Sequence, residues 1–180
     1  MSESEWVKAV GLPAAPQMPS YRVQKRRNAH RLSLTVPALH SSLAVVPVGT
    51  KHGVLQIKGG ISRASWDRST KPIGSKHGVS VAYLHRDLGV GKRGVRSPLW
   101  GLPSTKPGTL IRAIDAHGHA HTYRVTRQRS TPKNLLPLDL LRKTGKPTIA
   151  IVTCGVRMVK AADGAYHWTG RSITYAVMVR

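Results

Sequence analysis

The stretch Pro147-Thr-Ile-Ala-Ile-Val-Thr153, followed at once by Cys154 and Gly155, is the most apolar run in the chain. Side chains branched at Cβ fit a pleated surface, and an uninterrupted apolar run marks a strand covered on both faces. The run is therefore predicted to be a central strand that delivers Cys154 at its C-terminal end. Working outward, Gly78-Val-Ser-Val-Ala-Tyr-Leu84 alternates apolar and polar residues and ends at His85, while Arg171 to Val179 reads as a closing strand. Arg31 to Pro37, Leu43 to Val48, Gly53 to Ile57, Thr109 to Ile114 and His121 to Thr126 complete the strand set. Asp115-Ala-His-Gly118 has the chemistry of a hairpin turn.

Between these runs, Ser62 to Arg68 is expected to form one helical turn with Trp66 packed inward. Ser97 to Gly101 is expected to form another, opened by Ser97 and Pro98. Residues 131–141 read as a turn plus a short helix starting near Pro137. Residues 86–96 read as a mobile Gly- and Arg-rich loop, and a further loop separates Cys154 from Arg171. Seven or eight short strands at irregular spacing, with no repeat and no long helices, make an all-β barrel or sandwich.

The chain has 180 residues, enough for one domain of ordinary size. Its 17 Gly and 12 Pro favour turns and short strands, and with no Phe at all the core must rest on Val, Ile, Leu and Thr. No apolar run is long enough to be a membrane-spanning helix, and the N-terminus shows no signal-peptide pattern. One Cys excludes an internal disulfide and a multi-Cys zinc site. Residues 1–28, broken by Pro13, Pro16 and Pro19, read as an extended arm ahead of a folded domain spanning 29–180. Tyr21 to Arg27 of that arm are expected to lie against a protein surface.

Twenty-nine Lys and Arg against seven acids give a net charge of +22, spread along the chain rather than gathered in one tail. Such a field attracts a polyanion or an acidic assembly neighbour, or simply clothes a solvated surface.

For chemistry, a lone Cys is commonly a small buried hydrophobe. Cys154, however, stands at a predicted strand end, where a thiol can meet a base and a cation that favour its thiolate. His85 also ends a strand, and Arg171 opens the strand expected beside Cys154, where an Arg can steady an oxyanion. His117, His119 and His121 crowd the hairpin tip and read as an exposed turn rather than a metal site. No cofactor is expected.

The order of these three residues resembles the sortases. RLSLTVPAL (31–39) is similar to that family's first strand, and AVVPVG (44–49) with GVLQI (53–57) to its next segment. VAYLHRD (81–87) fits the His motif, SPLWGL (97–102) and residues 106–126 fit the strand pair downstream, and PKNLLPLDLL (132–141) the segment before TIAIVTCG (148–155), the Cys motif. The likeness is nearest to actinobacterial class F and class E-like enzymes, although Val156 stands where a second Gly is usual and Leu84 where a small residue usually precedes the His.

The resemblance implies a closed barrel of about eight strands, with His85 catalytic, Cys154 the nucleophile, Arg171 the active-site Arg and Thr153 the residue beside the nucleophile. Arg157 is an alternative for the Arg role, because the interval from Cys154 to Arg171 is longer than usual. The activity implied is transpeptidation: an LPXTG-type sorting signal is cleaved through a thioacyl enzyme and passed to an amine, outside the cell membrane. With neither anchor nor export signal visible, a cytoplasmic or virion location is the alternative. LPSTK (102–106) resembles such a signal but reads as a plain loop. The second class of function is a sortase-fold structural or assembly module whose basic surface faces nucleic acid or an acidic partner.

Overall fold

The computed structural model describes residues 31–179, apart from 53, 59, 89–94, 163 and 165. The arm, the contact expected of Tyr21 to Arg27, and the centre of the 86–96 loop lie outside the described residues.

In chain order the strands are β1 (Ser33–Val36), β2 (Ser41–Val48), β3 (Thr50–Lys51), β4 (Val54–Leu55), β5 (Arg63–Asp67), β6 (Val79–Leu84), β7 (Asp87–Leu88), β8 (Val95–Arg96), β9 (Leu110–Ile114), β10 (Ala120–Pro132), β11 (Thr148–Lys160) and β12 (Tyr166–Met178). Eight of them close a barrel in the order β1-β2-β5-β6-β11-β12-β10-β9, with β9 paired back to β1. Closure leaves none of these strands with an unpaired edge. β11 sits between β6, which it meets in parallel, and antiparallel β12.

β11 is buried on both faces, which is why its apolar run is continuous. Ile149 and Ile151 point into the barrel, among Leu34, Leu43, Val45, Ile111 and Tyr123. Ala150 and Val152 point outward, into a smaller cluster with Val79, Val81, Ile173, Tyr175 and Leu140. Leu140 comes from a 3-10 turn, Leu138–Leu141, that follows Pro137 as expected and covers this outer face.

Three expectations need correction. Ser62 to Arg68 forms β5, not a helical turn. Ala64 and Trp66 lie at the two-residue period of a strand, and the Ser65 hydroxyl both accepts from the Lys58 amide and donates to its carbonyl. Gly53 to Ile57 adds no barrel strand: only Val54–Leu55 pairs, with Thr50–Lys51, in a separate ribbon. The interval between Cys154 and Arg171 is mostly hairpin rather than loop, because β11 runs on to Lys160 and β12 begins at Tyr166. A bulge between Gly155 and Met158 interrupts the pairing, and there Val156 takes φ of 74°, in the left-handed region.

Candidate active site

Strand register assembles the site. Leu84 of β6 pairs with Thr153 of β11, so His85 follows one residue beyond, level with Cys154. Cys154 is the register partner of Arg171 in β12, and Arg171 that of Thr131 in β10. Alternation puts Cys154 on the face of Ala150 and Val152, and Arg171 on the face of Ile173 and Tyr175. His85, Cys154 and Arg171 thus form one lateral row on the outer face of the barrel wall.

The row opens onto a cleft of about 140 Å³ lined by His85, Cys154, Arg171, Thr153, Tyr83, Leu84, Val152, Ile57, Lys133 and Gly170. His85, Cys154, Arg171 and Thr153, singled out in the sequence, all line it. Arg157 does not: it is exposed in the bulge itself, where its amide donates to the Thr169 hydroxyl at 3.2 Å.

Two glycines let the strands close around this row. A Cβ on Gly155 would lie 2.7 Å from Ser172 Cβ, and one on its register partner Gly170 would lie 2.4 Å from the Thr131 carbonyl oxygen. Two buried hydroxyls beside the row, Thr153 Oγ1 and Thr131 Oγ1, have no hydrogen-bond partner. Burial without a partner is costly, and alternation turns the Thr153 side chain into the barrel with Ile149 and Ile151, opposite Cys154.

Among the described residues no carboxylate lines the cleft. Cys154 is half-buried, and burial pushes its thiol upward. Lys133 pulls it back down, Asp87 opposes, and Arg171 and Arg86 pull down further. Tyr83 is pushed up by burial and by Asp67, against Arg171.

Lys133 was not anticipated from sequence. Residues 127–131, Arg-Gln-Arg-Ser-Thr, offer no apolar alternation, so the extension of β10 that carries Lys133 to the cleft left no periodic signal. Arg86 was read as part of a loop. It is instead buried, with its guanidinium 4.6 Å from the ring centre of Trp100 and 4.5 Å from that of Trp168.

At the hairpin tip, Asp115 gathers the histidines. Its Oδ1 accepts from the His117 and His119 amides at 2.8 and 2.9 Å, and its Oδ2 lies 2.9 Å from His121 Nε2. Among the described residues no group of three His, Cys, Asp or Glu is placed to hold a metal ion. The LPSTK stretch is built into the wall. Leu102 is fully buried, Leu102–Ser104 forms a 3-10 turn, and Gln128 donates to the Leu102 and Thr105 carbonyls at 3.2 Å each.

Residues 34–179 match the family model of the sortase domain. Solved structures similar to this chain include sortase C from Clostridium perfringens SM101, at 13% identity with TM-score 0.58, covering 82% of this chain and 68% of that one. A pilus-related sortase C of Group B Streptococcus matches at 19% identity with TM-score 0.60, covering 85% and 69%. Sortase C1 from Streptococcus suis does so at 19% identity and TM-score 0.60, covering 83% and 73%. None of the curated protein sequences matches.

Proposed function

Because the chain belongs to the sortase family, we propose that it is a cysteine transpeptidase acting on an LPXTG-type sorting signal. The observation that carries this reading is that His85, Cys154 and Arg171 line one cleft from three adjacent chain segments. A structural module has no use for a base, a thiol and an Arg gathered on one row.

In this reading the Cys154 sulfur, as thiolate, attacks the Thr carbonyl carbon of the signal. Arg171 donates to the oxygen that becomes negative. His85 gives a proton to the departing Gly amine, so the peptide bond breaks and a thioester to Cys154 remains. An amine nucleophile then attacks that thioester, His85 takes its proton, and the thiolate leaves as a new amide forms. The cleft beside the nucleophile receives the bound signal. Its apolar walls, Ile57, Leu84 and Val152, suit an uncharged segment of the signal.

The test is turnover of a panel of LPXTG-like peptides with an amine acceptor. Activity that disappears in Cys154→Ala, with hydroxylamine releasing the acyl group from the wild type, supports the thioacyl route. No turnover by the folded wild type across a broad panel returns the structural module.

The reading places the protein outside the cell membrane, where sorting signals are displayed; among the described residues no helix is long and apolar enough to cross a membrane. It also takes residues 29–180 as the catalytic domain and 1–28 as an arm. Deleting the arm should leave the barrel folded, since β1 begins at Ser33. If Arg22, Lys25, Arg26 and Arg27 contact an acidic neighbour or polyanion, the deletion weakens that binding most at low salt.

A further inference from the structure

Arg86 follows His85 directly, where β6 gives way to β7. Its side chain is packed like a core residue, yet it carries a permanent charge. The guanidinium lies between the indoles of Trp100 and Trp168, and its Nε donates to the Trp100 carbonyl at 3.2 Å. The Arg86 carbonyl in turn accepts from the Ser97 amide at 2.8 Å. Trp168 Nε1 donates to Asp87 Oδ1 at 3.1 Å, and Arg96 stacks on Trp100 at 4.2 Å. One side chain therefore joins three segments: the exit of β6, the turn at 97–100, and β12 three residues before Arg171.

We infer that Arg86 is a positioning residue for the proposed reaction, locking the backbone that carries His85 against the Cys154–Arg171 strand pair and holding a fixed positive charge at the β6 exit, next to the strand that carries Cys154. A guanidinium suits this place because it is planar, stacks on aromatic faces and stays charged when desolvated. An ammonium keeps the charge but cannot lie flat between two rings.

The groups acting on or lining the cleft with Cys154 come from several elements. His85 and Arg86 come from the β6 exit, Tyr83 from β6, Asp87 from β7, Lys133 from the end of β10 and Arg171 from β12. Arg86, Lys133 and Arg171 favour the thiolate, and Asp87 opposes it. Removing Arg86 takes away one favourable charge and leaves Asp87 less balanced, so the thiol must move upward.

The inference rests on the transpeptidase reading, and its test separates the two. In the full chain, the rate of Cys154 alkylation by iodoacetamide between about pH 6 and pH 10 gives the thiol midpoint. Peptide turnover is measured alongside, and near-UV circular dichroism reports folding. Arg86→Met is expected to raise the midpoint, by less than the loss of Lys133 does, and so to slow alkylation at neutral pH. It lowers kcat by a larger factor, because His85 is also released. Arg86→Lys is expected to keep the wild-type midpoint but lose kcat, because His85 is no longer held. Were Arg86→Met to misfold, Arg86→Gln, which removes the charge but keeps a planar polar head between the indoles, is expected to raise the midpoint instead.

An unmoved midpoint in whichever of these two folds overturns the inference. So does misfolding of both, which would assign the cluster to stability alone. A wild type that alkylates but cleaves no peptide refutes the transpeptidase reading while leaving the midpoint test intact.

Discussion

Cys154 and Arg171 are register partners across β11 and β12, so the thiol and the guanidinium are fixed by backbone pairing rather than by a mobile loop. The pairing lies one residue before Gly155–Gly170, the last level of regular register ahead of the Gly155–Met158 bulge. A site on paired strands holds its geometry more closely than one on loops.

That pairing favours Arg171 over Arg157 for the proposed Arg role. Arg171→Met should lower kcat by about 10²–10³-fold, the usual effect of losing an oxyanion donor, with little change in the thermal midpoint. Arg157→Met, exposed on the hairpin, should retain wild-type kinetics. Steady-state rates of the two variants on one peptide check this, and equal losses would contradict it.

Lys133 gives a pH prediction. Burial pushes the Cys154 thiol up, and Lys133 is the foremost group pulling it down. The thiolate fraction grows as pH rises through the thiol pKa, so Lys133→Gln should move the alkylation profile to higher pH and slow the reaction at neutral pH. A profile that moves to lower pH would reverse the electrostatic assignment.

Asp115 controls the acid limb of stability. Burial pushes its carboxyl up, but the hydrogen bonds from His121 and from the His119 and His117 amides outweigh burial and hold it well below the usual carboxylate range. A depressed pKa means the stabilisation is complete above the ordinary value of about 4 and fades as pH falls through the lowered one. Asp115→Asn should cost about 1–3 kcal/mol near neutrality. Urea midpoints of variant and wild type should converge as the pH is lowered below about 4.

Val156 tests the bulge. A β-branched side chain at φ of 74° is strained, whereas glycine adopts this conformation freely. Val156→Gly should therefore stabilise the protein by about 1 kcal/mol. Gly170→Ala, whose Cβ would meet the Thr131 carbonyl oxygen, should destabilise it by more than that and disturb the cleft. Denaturant midpoints measure both, and a destabilised Val156→Gly would show that Val156 packing outweighs the strain.

The sequence by itself determined that the protein is all-β. Thr148 to Thr153 read as a strand covered on both faces, and the alternation before His85 and after Arg171 marked two more strands. The motif order identified His85, Cys154, Thr153 and Arg171 as the residues to seek. Tertiary structure alone decided the rest. Cross-strand register, which depends on where a bulge falls, puts Arg171 at the cleft and Arg157 outside it, and a bulge changes no hydrophobic period. β5 was misread because a short segment with Trp66 and Ala64 leaves its period ambiguous until β2 and β6 pair with it. Lys133 reaches the cleft on a polar strand extension, and Arg86 is buried between indoles 14 residues ahead of it and 82 residues ahead of it in the chain. Such contacts have no local signature, because stacking and charge act through space while periodicity reports only which face of one segment meets the core.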